Sequence, residues 1–109
     1  DLGVSLPGGS KVTHAVSVAY RDPGEYYAIE MPQAAVVPFI AAVRAAGTNA
    51  EDLDPGMPWI FFGRVPSWWK PKSLPQPQRL TVYHSDKFGG YQCYYSATSS
   101  TVYIFWFRT

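Results

Sequence analysis

The sequence is short of the side chains that build reactive centres. It has a single cysteine, Cys93, and two histidines, His14 and His84, in three separate segments. One cysteine excludes an internal disulfide, and no histidine or cysteine pair has the spacing of a zinc site. Glu51, Asp52 and Asp54 lack the alternating acidic ladder and glycine that wrap calcium. The glycines of LPGGSK precede Lys11, but not at the spacing that cradles a phosphate. No serine sits in a G-x-S-x-G elbow. No metal and no cofactor are expected. Hydrophobic runs are short too: none approaches the ~18 apolar residues of a membrane span, and no signal peptide is present. The chain begins with Asp1, which fits removal of an export signal and ordinary domain trimming equally.

Acidic residues are scarce in the second half. Residues 55–109 hold six cations and only Asp86, a balance of +5, whereas residues 1–54 hold three cations and seven anions, a balance of −4. The net charge of +1 is far too small for a generic nucleic-acid footprint, so no nucleic-acid partner is expected. What the chain does have is apolar and aromatic material: 47% of its 109 residues are hydrophobic and 17% aromatic. That composition suits a packed core and argues against disorder. A chain of this length buries roughly 65% of its unfolded surface, enough for one domain spanning residues 1–109 without a metal or disulfide.

Periodicity organises the domain. Residues 1–10 read as a flexible, glycine-rich lead-in. In KVTHAVSVAYRD, Val12, His14, Val16, Val18 and Tyr20 alternate with small residues; a period of two with β-branched side chains predicts a strand, with those five on one face. Asp22-Pro23-Gly24 supplies turn chemistry, and EYYAIEM returns as a second strand, so residues 11–31 read as a hairpin. Val36, Phe39, Ile40 and Val43 then fall at i, i+3, i+4 and i+7, one helical stripe. Gly47 marks the stop. Pro38 in a helix interior would cost ~3 kcal/mol, which argues for a start near residue 35 and a helix over about 35–46. Residues 48–78, with six prolines and an acidic patch, read as a long proline-stiffened loop, within which WIFFG has the composition of a short strand. Three strand-like runs follow: RLTVYHSD, GYQCYYSAT and TVYIFWFR. They are separated by Lys87-Phe88-Gly89-Gly90 and Ser99-Ser100, gaps that suit hairpin turns. The last run is apolar on both faces, as an interior strand should be. The order ββ-α-long loop-βββ predicts an α+β fold: an antiparallel sheet of about five strands with one helix packed on a face.

Each reactive candidate has a plainer explanation. His84-Ser85-Asp86 has triad residue types, but adjacent strand residues point to opposite faces, so Ser85 does not join the other two. Cys93 shares a face with Tyr91 and Tyr95 and reads as a buried structural thiol. A nucleophilic thiol needs an electropositive, partly open site and a base, for which only His14 or His84 is available. His14, among valines, reads as a core or edge histidine. No catalytic residue is assigned.

The densest cluster of binding side chains lies in residues 59–79. Trp59, Phe61, Phe62, Trp68 and Trp69 stand there with Arg64, Lys70, Lys72 and Arg79, and without any acid. Aromatic faces beside cations can stack on sugars or bases, grip anionic groups or anchor a protein. A proline-rich loop also needs aromatic anchors, because it has little backbone hydrogen bonding of its own. In an extended segment consecutive side chains point apart, so one indole of the pair plugs the core and the other meets solvent. Lys70 and Lys72 beyond it point to Trp69 as the outer one.

Leu6-Pro7, the strand–strand–helix opening, Pro66-Ser67-Trp68-Trp69 and the aromatic last strand together resemble small exported bacterial lipoproteins of uncharacterised function. The resemblance implies a periplasmic or envelope location and carries no catalytic residue; a cytoplasmic location is the alternative. The function expected is a non-catalytic, envelope-associated binding domain whose partner is a protein or cell-envelope component. Trp69, Trp68, Arg64, Lys70, Lys72 and Arg79 are its candidate contacts. An immunity or inhibitor protein that blocks a toxin or hydrolase is the first alternative, and a cysteine hydrolase built on Cys93 the second.

Overall fold

The amphipathic pattern at the start of the chain becomes an antiparallel hairpin of β1 (Lys11–Val18) and β2 (Gly24–Glu30) in the computed structural model, which describes residues 5–18, 24–47, 49–53, 66–84 and 89–108. Helix α1 (Gln33–Ala46) and strand β3 (Asn49–Leu53) come next. A 3-10 turn at Pro71–Ser73 precedes β4 (Gln78–His84), β5 (Gly89–Tyr95) and β6 (Thr101–Arg108). All six strands join one sheet in the order β1-β2-β6-β5-β4-β3, and every neighbouring pair is antiparallel. The fold is α+β, and β6 is an interior strand. The sixth strand is β3, which occupies the front of the segment read as a long loop. Pairing with β4, from Asn49 opposite Tyr83 to Leu53 opposite Arg79, satisfies backbone groups that its own acidic side chains do not advertise. The WIFFG stretch, the turn residues 19–23 and residues 85–88 lie outside the described residues.

The sheet order also rearranges charge. The C-terminal strands β4, β5 and β6 form its middle, while β1 and β2 flank them on one side and β3 on the other. The acidic and basic halves of the sequence are therefore not two halves of the molecule.

Two local devices depart from simple periodicity. Val12 pairs with Ile29 but His14 pairs with Ala28, leaving Thr13 as the extra residue of a β-bulge, its hydroxyl donating to the Ala28 carbonyl at 3.0 Å. A bulge reverses the alternation. Val12 therefore shares a face with Ile29, whereas His14 and Val16 share the opposite face with Ala28 and Tyr26, which corrects the expectation of one common face. The helix starts at Gln33 rather than near residue 35, so Pro38 lies inside it. The carbonyl that loses its donor belongs to Ala34, and both residues are exposed, so it is not a buried unpaired group.

The helix covers one face of the sheet. Its buried residues are Val36, Phe39, Ile40 and Val43, the predicted stripe, and they pack on Ile29, Leu80, Val82, Tyr91, Cys93, Tyr95, Val102 and Ile104. The opposite face carries a second cluster: Tyr26, Tyr94 and Phe105 from the strands with Trp69 and Leu74 from the proline-rich segment. The first residues also find order. Ser10 N–H donates to the Pro7 carbonyl at 3.1 Å, and Gly9 at φ +83° takes the left-handed position of that turn, against Pro32.

Candidate functional site

The face opposite the helix is where the tryptophan pair settles. Trp69 N–H donates to the Pro66 carbonyl at 3.1 Å, so Pro66-Ser67-Trp68-Trp69 is a tight turn and not an extended segment. The following 3-10 turn is closed by Ser73 N–H on the Lys70 carbonyl at 3.0 Å and by Leu74 N–H on the Pro71 carbonyl at 3.2 Å. Farther along, Gln76 at φ +48° turns the chain back, and Ser96 Oγ donates to the Pro75 carbonyl. Prolines set the corners, and a few hydrogen bonds hold them.

Within this frame the two indoles diverge. Trp69 is 8% exposed and stands edge-on to Tyr26, Tyr103 and Tyr94 at centroid distances of 4.9, 5.5 and 5.8 Å. Perpendicular packing sets the positive ring edge against a negative face, so three tyrosines from β2, β6 and β5 make a socket for one indole. Trp68 is half-buried. It lies flat on the imidazole of His14, 4.9 Å between centroids and 14° between planes, and meets Trp69 edge-on at 6.4 Å. One indole is the plug and the other borders solvent, as the alternation argument requires, but the assignment is reversed: Trp69 is inner and Trp68 outer. The turn is the physical reason, because the alternation of an extended segment does not hold through it.

The cations divide in the same way. Lys70 and Lys72, which follow the tryptophan pair in the chain, are exposed. Arg79, grouped with them in sequence, is 3% exposed within β4, its Nη1 3.4 Å from the Tyr94 hydroxyl and its guanidinium carbon 5.9 Å from the Tyr94 ring centre. Arg79 is thus a buried side chain, unlike the exposed Lys70 and Lys72. Next to it lie Thr81 and Gln92, directly opposite each other in register and fully buried, with Tyr94 donating to Gln92 Oε1 at 3.3 Å. This polar row escaped sequence reading, although Arg79 and Thr81 alternate along β4 with Leu80 and Val82. Arg64, Trp59, Phe61 and Phe62 lie outside the described residues.

Of the reactive candidates, Cys93 is fully buried in the helix-side cluster, where loss of hydration pushes its thiol up to about 12. His14 sits on the other face of the sheet, so the two are not brought together. Ser85 and Asp86 lie outside the described residues, as does Asp54. Asp52 accepts a hydrogen bond from Arg44 Nη2 at 2.7 Å, tying β3 to the last helical turn, where a cation also suits the helix dipole. Glu51 and Asp52 are thus strand residues and not a loop cluster. An open depression of about 290 Å³ lies away from the tryptophans, lined by Gly9, Lys11, Glu30, Met31 and Pro32. Among the described residues no three side chains of His, Cys, Asp or Glu converge as a metal site, and no helix is long and apolar enough to cross a membrane. No family model, no curated protein and no solved structure matches this chain.

Proposed function

We propose that this chain is a non-catalytic binding domain that engages a protein or cell-envelope component through the surface around Trp68, Lys70 and Lys72. The observation that carries the reading is the half-exposed Trp68 stacked on His14, with the exposed Lys70 and Lys72 two and four residues further along the chain. The buried Trp69 beneath it holds the turn in place before any partner arrives. A pre-organised aromatic contact loses little entropy on binding, and tryptophan is the residue most enriched among contacts that dominate binding energy. The cations suit a partner with acidic groups. A periplasmic or envelope location follows from the resemblance to exported bacterial lipoproteins. Against catalysis stands the thiol of Cys93, sealed from solvent and raised far above the neutral range, since the thiolate is the nucleophile.

The test is saturable binding of the chain to a bacterial envelope fraction, compared with Trp68→Ala. A dominant indole is worth about 2 kcal/mol or more, so Trp68→Ala should bind roughly 30-fold more weakly while its melting point stays close to wild type. Lys70→Gln with Lys72→Gln should weaken binding less and flatten its salt dependence. Equal binding by a folded Trp68→Ala variant would remove the surface from consideration. Recovery of a toxin or hydrolase as the retained component would select the inhibitor form of the reading.

A further inference from the structure

The two edges of the sheet are protected to different degrees. β3 has five residues, and its Glu51 and Asp52 are exposed acids. β1 has eight residues and no proline; residues 12–18, VTHAVSV, contain no lysine, arginine or acid. Every described side chain from residue 11 to residue 17 is exposed, with Val12 at 45% and Val16 at 40%. No strand pairs with the outer side of β1 among the described residues. An open edge is a template for another strand, and proteins blunt it with lysines, prolines and bulges. Here Lys11 and the bulge at Thr13 sit within the first three residues, and the rest of the strand is unguarded.

We propose that β1 pairs antiparallel with β1 of a second copy, joining two six-stranded sheets into one of twelve. The choice of occupant follows from charge. Antiparallel overlap places the two Lys11 side chains at opposite ends, seven residues or about 23 Å apart at ~3.3 Å per residue, well beyond the ~8 Å screening length of physiological salt. Between them only uncharged residues meet, so no like charges are set directly opposite each other across the pair. A strongly charged partner strand finds nothing in residues 12–18 to pair with. Pairing of β1 with β3 of another copy would set acids beside an uncharged strand and leave further edges open, giving chains of molecules instead of a closed pair. The two-fold axis of the β1 pair runs through the sheet, so both Trp68–His14 stacks lie on the same face, where one partner surface can reach both. The proposal rests on the edge and not on the binding reading.

Sedimentation equilibrium tests it. An edge contact is smaller than a standard interface of ~1,600 Å², so mass should rise with concentration from 12.1 kDa for the chain toward twice that value and stop there. Val16→Lys puts two charges near the two-fold axis and should weaken association at least tenfold, with an unchanged far-ultraviolet circular dichroism spectrum. Ser17→Lys, on the other face, should do the same and serves if Val16→Lys does not fold. Glu51→Lys on the opposite edge and Trp68→Ala should leave the dimer intact. A wild-type chain that stays monomeric at millimolar concentration overturns the proposal, as do a folded Val16→Lys or Ser17→Lys that dimerises like wild type and a species larger than the dimer.

Discussion

Replacing Trp69 by alanine tests how the aromatic face is held. The indole is 8% exposed, and a buried aromatic side chain covers roughly 150–250 Å². At about 25 cal/mol per Å² its burial is worth roughly 4–6 kcal/mol, an upper bound because unfolded chains already shelter some apolar surface. The edge-on contacts with Tyr26, Tyr94 and Tyr103 go with it, and the neighbours collapse only partly into the space. The net cost should be about 3–5 kcal/mol, the usual range for such truncations. For a domain of this size each kcal/mol lowers the melting temperature by roughly 4–8 °C, so a fall of at least about 12 °C is expected. Trp68→Ala removes a half-exposed ring with one flat contact and should cost about 1 kcal/mol or less. Urea unfolding followed by far-ultraviolet circular dichroism gives both values without depending on indole emission. Trp69→Phe should recover part of the loss, since a smaller ring still fills the tyrosine socket. Iodide should quench more of the emission removed by Trp68→Phe than of that removed by Trp69→Phe. Equal destabilisation by the two alanine variants, or a larger loss from Trp68→Ala, would refute the assignment of plug and contact.

Two further outcomes follow from the close packing and burial around the sheet. A Cβ on Gly47 would come within 2.1 Å of Val82 Cγ1 and 3.1 Å of the Tyr83 carbonyl oxygen, so Gly47→Ala should lose about 1–3 kcal/mol through overpacking. In a Val82→Ala background that penalty should shrink below about 1 kcal/mol; a double-mutant cycle without such coupling would rule out the close approach as the cause. Burial lifts the Cys93 thiol from its usual value near 9 to about 12, and burial first, with Glu25 assisting at Tyr27, lifts the Tyr26 and Tyr27 phenols from near 10 to about 12. A pKa higher in the folded state means that the unfolded chain ionises first. Stability should therefore be complete below about pH 9 and decline as pH rises to 12, at up to about 1.4 kcal/mol per pH unit for the fully buried Cys93 and by less for the part-exposed Tyr27, whose charge solvent screens. Cys93→Ala should shift the onset from about pH 9 to about pH 10, and an unchanged alkaline profile in that variant would count against the buried thiol as its source.

Much of this architecture is legible in residue order because it depends on local repetition. The stripe Val36, Phe39, Ile40 and Val43 specifies the buried side of α1, and the doubly apolar last run specifies an interior strand, since only burial on both sides makes such a run stable in water. The identity of Cys93 as a core residue follows likewise from its place between Tyr91 and Tyr95. Where side-chain direction depends on counting residues, a single irregularity overturns the count. The extra residue at Thr13 moves Val12 away from His14, and the turn at residues 66–69 exchanges the places of Trp68 and Trp69. β3 was concealed for a different reason. Its sequence NAEDL has little strand propensity, and what makes it a strand is the hydrogen-bonding edge of β4 beside it, which exists only once the sheet has formed. The stacking of Trp68 on His14 joins residues more than fifty positions apart, and no local rule could pair them. Composition and periodicity thus determined which faces are apolar and that an aromatic, cationic segment needs a seat, whereas bulge, turn and strand order decided which indole takes that seat and which is left at the surface.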